Sequence, residues 1–458
     1  MAKETITMNG NSDLRRSGIN FLGILNDLKR RPEDAAKELG VSLEEIMSVI
    51  KGERELSHDI IKRATEIWPI NIADFYLIHD DCPNGVKIMR AEHSKKTRRI
   101  MDRAGLPYYE YRDTAMSSVS LFRPEWIEEL CIVDDNEPDN PNVQWNNGHF
   151  MHQFTYFIGD VNYYYQGPDG KKKVAIMNTG DSVYGTPFRP HSFATRKGAS
   201  KNGLILALTY GNSLLISQQE LSTLGVELGL NFYLDFSSKE RAFSSLLKFN
   251  RENASLTHEE VAKRTGIPKE TIQSLEQSTS SLPDDEVFTK LAKALNVNVR
   301  DLYPPDSIED KVIVRYYKDA LRWFYPESKA YEIVELVYSR HLPFSKALEF
   351  NIKKSENDQI LDIKMGLHQY IYNVGDSPVE FNWKINNIMN HEKINPGDSI
   401  YVKPFVPHNF RGNGELMVLR IAGRIAGDAQ RELSTLDKND AHRAILETSM
   451  WFDPKGKN

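Results

Sequence analysis

The residues best suited to chemistry fall in one short segment, Asn146-Asn147-Gly148-His149-Phe150-Met151-His152-Gln153-Phe154, and in a later Pro190-His191 pair. Imidazole nitrogens are the commonest side-chain ligands of transition metals, and an amide oxygen beside them is a neutral donor. If the segment is a strand, its side chains alternate between two faces. His149, Met151 and Gln153 then share one face, and His152 and Phe154 share the other. Taken singly, a His in a strand or a Pro-His pair is more often structural than a ligand. These two gain weight in combination, through the spacing they share.

His152–Asp160 reads HQFTYFIGD and His368–Asp376 reads HQYIYNVGD. GDSVYGTPFRPHSF from Gly180 matches GDSIYVKPFVPHNF from Gly397. Upstream, AAKELGVSLEEI ending at Ile46 matches VAKRTGIPKETI ending at Ile272. In that pair the apolar positions Ala36, Leu39, Val41, Ile46 and Val49, and Val261, Ile267, Ile272 and Leu275, repeat at helical spacing around a Gly-containing turn, a helix-turn-helix signature. The chain therefore reads as two tandem units, each a helical module followed by a β-rich domain. Segments such as VEFNWKINN alternate apolar and polar residues as strands do.

Gly-Asp followed by Pro-His on a strand resembles the second motif of the cupin family, a small jelly-roll barrel. The helical modules resemble those of the Cro type. The expected class is α+β, a bicupin in which each barrel follows a helix-turn-helix module. The boundaries are a tail at 1–19, module 1 at 20–80, cupin 1 at 81–235, module 2 at 236–305, cupin 2 at 306–450 and a tail at 451–458. In a cupin the metal sits inside the barrel, with two ligands on one strand and a third on a later one. His149, Gln153 and His191 fit those places, and His152 is taken as structural. In the second half Gln369 and His408 match Gln153 and His191, but Met365 stands in place of His149 and Asp362 in place of Asn146. A thioether suits Fe(II) poorly, so the second barrel is expected to bind no metal.

The duplicated helix-turn-helix and cupin arrangement resembles, over nearly the whole chain, the iron(II) oxygenases that consume 2-hydroxyethylphosphonate. One branch, the hydroxyethylphosphonate dioxygenases, yields hydroxymethylphosphonate and formate. The other, the methylphosphonate synthases of phosphonate biosynthesis, yields methylphosphonate and carbon dioxide. In the dioxygenase pattern a Glu six residues before the final His is a ligand, and that position here is Gly185. In the synthase pattern a Gln four residues after the first His replaces it, which is Gln153. The resemblance thus implies a synthase using Fe(II) and O2. It also implies that Asn146, Arg103 and Tyr111 contact the phosphonate and that Lys29 closes over it, from its own chain or a neighbour. The residue types accord with a small dianion: Arg and Lys bring charge and directed donors, Asn and Tyr neutral ones.

Bulk composition agrees with a globular enzyme. The 458 residues exceed one ordinary core, with 40% apolar and 27% charged residues and a net charge of −6. Two cysteines, Cys82 and Cys131, argue against a disulfide framework and point to a reducing cytoplasm. No apolar run of membrane-spanning length occurs, and the first residues lack the apolar core of a secretion signal. A homo-oligomer is expected. The competing class is a ligand-sensing transcription regulator, which also joins helix-turn-helix to cupin. Charge opposes it. From Arg31 to Glu55 there are four basic and seven acidic residues, with Glu44 and Glu45 at the start of the recognition helix. The protein is therefore predicted not to bind DNA specifically. A footprint on DNA from its own gene neighbourhood at physiological salt, lost on mutating Lys269, would contradict this.

Overall fold

The computed structural model describes residues 12–211, 213–306, 311–340, 342, 344–353 and 360–446. Each half opens with a helical module. In the first, helices Ser12–Asp27, Pro32–Leu39, Leu43–Ile50 and His58–Ile67 enclose Phe21, Leu25, Leu39, Ile46 and Ile61. The first helix reaches back into the stretch expected to be a tail, where Gly18 packs against the backbone of Val49 and Ile50. In the second, helices Lys239–Asn253, His258–Thr265, Lys269–Glu276 and Asp285–Leu295 enclose Phe243, Val261, Ile272 and Leu291. Gly40 and Gly266 end the second helix of each module with φ of 63° and 72°, a left-handed cap that glycine adopts at least cost.

Each β unit is a large sheet facing a small one. The first large sheet has seven strands, in the order Val312–Arg315, Ser182–Gly185, His152–Ile158, Leu204–Tyr210, Glu125–Glu129, Leu106–Asp113, Arg99–Arg103. Its small sheet has four, including His191–Arg196 and Val161–Gln166. The second large sheet runs Val86–Met89, Ser399–Val402, His368–Asn373, Glu415–Ile421, Ser345–Ile352, Tyr331–Glu335, Arg322–Tyr325, opposite a three-stranded sheet.

The two halves exchange strands. Val86–Met89, which follows the first module, pairs with Ser399–Val402 of the second half. Val312–Arg315, which follows the second module, pairs with Ser182–Gly185 of the first. Sheet membership therefore crosses the chain boundaries at 81 and 306, since each edge strand left open by one half is covered by the other. The Gly-Asp signatures hold this exchange. Asp398 accepts from the backbone N–H of Ala91 at 2.8 Å and of Asn395 at 3.0 Å, and pairs with Arg90 at 2.9 Å. Asp181 accepts from Tyr317 N at 2.8 Å and Asn178 N at 2.8 Å. The outer faces of the large sheets then pack back to back through Trp126, Tyr156, Leu208, Tyr370, Tyr372 and Leu419.

Asp398 is buried and each of its hydrogen bonds involves a charged group, so Asp398→Ala should cost at least about 1.5–3 kcal/mol. Thermal unfolding should show a clearly lowered midpoint, with the exposed Asp376→Ala as control. Equal midpoints for the two variants would mean the exchange does not depend on this carboxylate.

Candidate metal centre

Strand His152–Ile158 carries the alternation expected of it. Gln153 and Phe157 face the inside of the first β unit, whereas Phe154 and Tyr156 point outward into the core between the halves. His149 is not on this strand. It lies in the irregular segment before it, so the strand-register argument that paired it with Gln153 fails for that residue. A different constraint brings it in. Gly148 has φ of 74°, and a Cβ there would lie 2.5 Å from Phe188 C and 2.6 Å from Arg189 N. The backbone thus presses directly onto the turn before His191. Phe188 N donates to His149 O at 2.8 Å, and Asn146 N donates to His191 O at 3.1 Å. The Asn146 side-chain oxygen accepts from His191 N at 3.0 Å and Gly148 N at 2.9 Å.

This clamp leaves three donors facing one cavity. His149 Nδ1 donates to Met151 O at 2.8 Å, and His191 Nδ1 donates to Arg189 O at 2.8 Å. Both rings therefore turn a lone-pair-bearing Nε2 inward, the outer-shell arrangement usual for metal-binding His. The ring centroids are 5.3 Å apart. Gln153 Nε2 donates to Thr155 Oγ1 at 2.9 Å, which aims Oε1 at His149 Nε2, 2.5 Å away. Two electron-pair donors meeting in this way are what a bound cation satisfies. Burial pushes the His191 imidazole down to about 4, so it is neutral and able to ligate at physiological pH. Among the described residues no group of three His, Cys, Asp or Glu is placed to hold a metal ion, which fits a site whose third donor is an amide. Gly185 lies opposite Gln153 in the ladder, and a Cβ there would meet nothing nearer than Tyr163 Oη at 4.0 Å. A side chain could therefore start at this position without a clash.

The cavity, of about 220 Å³, is lined by Asn146, His149, Gln153, His191, Arg103 and Tyr111 among others. Six of the seven residues singled out in the sequence thus converge. Lys29 does not line it. Its ammonium donates to Asp27 O at 2.7 Å, on the exposed end of the first helix. Arg103 stacks over the Tyr109 ring at 4.9 Å and donates to Gln144 O at 3.2 Å. Burial pushes the Tyr111 phenol up to about 12, so it stays a donor. Arg123, Glu125 and Thr209 also line the cavity and were not singled out. The alternation in Glu125-Trp126-Ile127 was the available signal for Glu125; the other two carried none.

The second unit has the same frame with different contents. Gln369 pairs in register with Arg420 where Gln153 pairs with Thr209. Arg420 Nε donates to Gln369 Oε1 at 3.3 Å, and Gln369 Nε2 donates to His408 Nε2 at 3.4 Å. A buried guanidinium therefore occupies the interior beside both residues that match metal-ligand positions. Burial pushes it down to about 10, still charged at neutral pH. The repeated His has the same role in both halves: His152 Nδ1 bonds Tyr184 Oη at 2.6 Å, and His368 Nδ1 bonds Tyr401 Oη at 2.7 Å.

Comparison with known proteins places these features. A helix-turn-helix family matches residues 247–302, the second module. A methylphosphonate synthase of Nitrosopumilus maritimus (strain SCM1) is 56% identical over 457 residues, covering 100% of both chains. The structure of a hydroxyethylphosphonate dioxygenase from Streptomyces albus, with 2-hydroxyethylphosphonate and Fe(II) bound, is 35% identical with a TM-score of 0.88, covering 96% of this chain and 99% of that one. A variant of another 2-hydroxyethylphosphonate dioxygenase, 19% identical with a TM-score of 0.75 over 93% of this chain and 99% of its own, shares the fold.

The geometry predicts opposite outcomes for two neighbouring histidines. His149→Ala should lose tightly bound metal in equilibrium dialysis, and His152→Ala should keep it while losing some stability. Loss from His152→Ala alone would reverse the assignment.

Proposed function

The chain belongs to the methylphosphonate synthase family, and from that premise we propose that it converts 2-hydroxyethylphosphonate and O2 to methylphosphonate and carbon dioxide, with Fe(II) held by His149, Gln153 and His191. The observation that carries this reading is the donor set: two inward Nε2 atoms and an amide oxygen, opposite a glycine at 185. When bound, Fe(II) supplies a Lewis-acidic centre with open positions for the substrate oxygens and O2. Each β unit is read as a cupin barrel and the pair as a bicupin.

The protein's own residues bind and orient the substrate. All three ligands are neutral, so they leave the charge of the ion uncompensated, and a dianionic substrate is the compensating group. Arg103 offers the phosphonate a guanidinium already fixed by its stack on Tyr109. Asn146 Nδ2 donates to His191 Nε2 at 3.0 Å, and once that nitrogen ligates the metal the N–H is free for a phosphonate oxygen. The Tyr111 hydroxyl adds a neutral donor. Lys29 bonds Asp27 O and does not line this cavity; the role read for it is to close over the phosphonate of a neighbouring subunit. A homo-oligomer is supported by the helical stretch Ser213–Gly229, kinked at Gly225, which buries no residue and exposes Leu214 and Ile216 before the kink and Val226 and Leu228 after it. Among the described residues no helix is long and apolar enough to cross a membrane, and we place the enzyme in the cytoplasm.

Three measurements test this. Protein loaded with Fe(II) without oxygen, then given 2-hydroxyethylphosphonate and O2, should form methylphosphonate by phosphorus NMR. Hydroxymethylphosphonate as the main product would move it to the dioxygenase branch, and unchanged substrate would sink the reading. Asn146→Ala, Arg103→Ala and Tyr111→Phe should each cost about 1.5–3 kcal/mol in kcat/KM with metal content unchanged. Gly185→Glu should fold normally, hold iron more tightly and shift product toward hydroxymethylphosphonate; an unchanged product ratio with the carboxylate in place would contradict the role given to this position.

A further inference from the structure

Glu129 is a carboxyl group that the proposed reaction does not use. It ends strand Glu125–Glu129, whose alternate residues Glu125 and Ile127 line the cavity, so Glu129 continues the same inward row. It stands opposite Tyr109 in the ladder. Its backbone is well held, with N donating to Gly203 O at 2.8 Å and O accepting from Thr195 Oγ1 at 2.7 Å. The side chain is 0% exposed, and neither carboxyl oxygen has a hydrogen-bond partner. A native interior rarely leaves both oxygens of an acid unmatched without a reason in function.

Its surroundings decide its charge. Arg103 is the cation that acts on it, yet the Arg103 guanidinium is committed to Gln144 O and to the faces of Tyr108 and Tyr109. The Tyr109 hydroxyl lies 3.1 Å from Ser192 Oγ and accepts from Phe193 N, also at 3.1 Å. Tyr111 and Cys131 are the other titratable groups that feel Glu129. Burial raises Tyr109, Tyr111 and Cys131 above their ordinary ranges, so they stay neutral at physiological pH. A carboxylate in this place would have no donor to replace its water shell, and burial accordingly holds Glu129 well above the usual range, as the neutral acid.

We propose that Glu129 is a positioning residue of the phosphonate pocket, kept neutral behind Arg103 so that the guanidinium charge remains uncancelled for the substrate. The proposal rests on the reading of this cavity as the phosphonate site. An ionised Glu129 would draw Arg103 back and repel the incoming dianion at short range in a low dielectric. Binding of the dianion in turn raises the proton affinity of Glu129, so substrate and proton bind together on the alkaline side.

The test compares wild type with Glu129→Gln, which keeps the size and cannot ionise. The Kd for 2-hydroxyethylphosphonate is measured by calorimetry on Fe(II)-loaded protein under argon, from about pH 7 to about pH 9.5. The substrate's own ionisation is common to both proteins and cancels in the ratio of their Kd values. That ratio, wild type over variant, should stay near one while Glu129 is protonated and grow by roughly threefold or more wherever its carboxyl band is lost with rising pH. The infrared difference between the two proteins at neutral pH should show a protonated carboxyl band in wild type. A ratio well above one while the carboxyl band is protonated, a flat ratio across the loss of that band, or an ionised carboxylate band at neutral pH overturns the proposal while leaving the function intact. No binding by wild type overturns the functional reading and this proposal with it.

Discussion

Neither large sheet of this protein is complete without a strand from the other half. Val86–Met89 and Val312–Arg315 each leave the half that encodes them and close the edge of the other. The buried Asp181 and Asp398 tie down these crossings through backbone N–H groups. Glu349 of the second half adds a further tie, accepting from Tyr156 at 2.8 Å and from Tyr317 at 2.5 Å. The consequence for function is stiffness. The strand that carries Gln153 is pinned on both sides in its own sheet and packed behind by the second half, so the inward face has little freedom. Precise donor placement on a rigid sheet is what an open-sided metal site needs.

Duplication also explains why one half can specialise. The two interiors share their framework, down to the stacked His-Tyr pairs at His152 and Tyr184 and at His368 and Tyr401. They differ in what completes the charge. The first interior presents neutral donors and lone pairs, an arrangement that a cation resolves. In the second, Arg420 brings a permanent cation beside Gln369 and His408. A guanidinium and a divalent ion do not share one small volume, so Arg420 is a physical ground for expecting no metal in the second interior. Met365 in place of His149 is a second ground.

Much of this was legible in the chain because it depends on local patterns. The helical modules follow from 3.6-residue spacing around Gly40 and Gly266, and the inward direction of Gln153 follows from strand alternation. His149 reaches the cavity for a reason other than strand register: its direction is set by Gly148 pressing on Phe188 and Arg189, a long-range contact that no periodicity records. The strand exchange was invisible for the same cause, since pairing partners of edge strands are a tertiary property. Arg420 and Glu129 read as ordinary members of alternating strands, and only their burial sets them apart. Lys29 was carried by resemblance alone, and its own chain does not bring it to the cavity.

The central claim is that one metal ion binds per chain, in the first half, on two imidazoles and an amide. Anomalous diffraction at the iron edge from crystals grown with Fe(II) under anaerobic conditions tests it most directly. The account predicts one strong peak per chain, within bonding distance of His149 Nε2, Gln153 Oε1 and His191 Nε2, and none beside Gln369 and His408. A peak in the second half, or one in the first half that leaves Gln153 out of the coordination sphere, would contradict it.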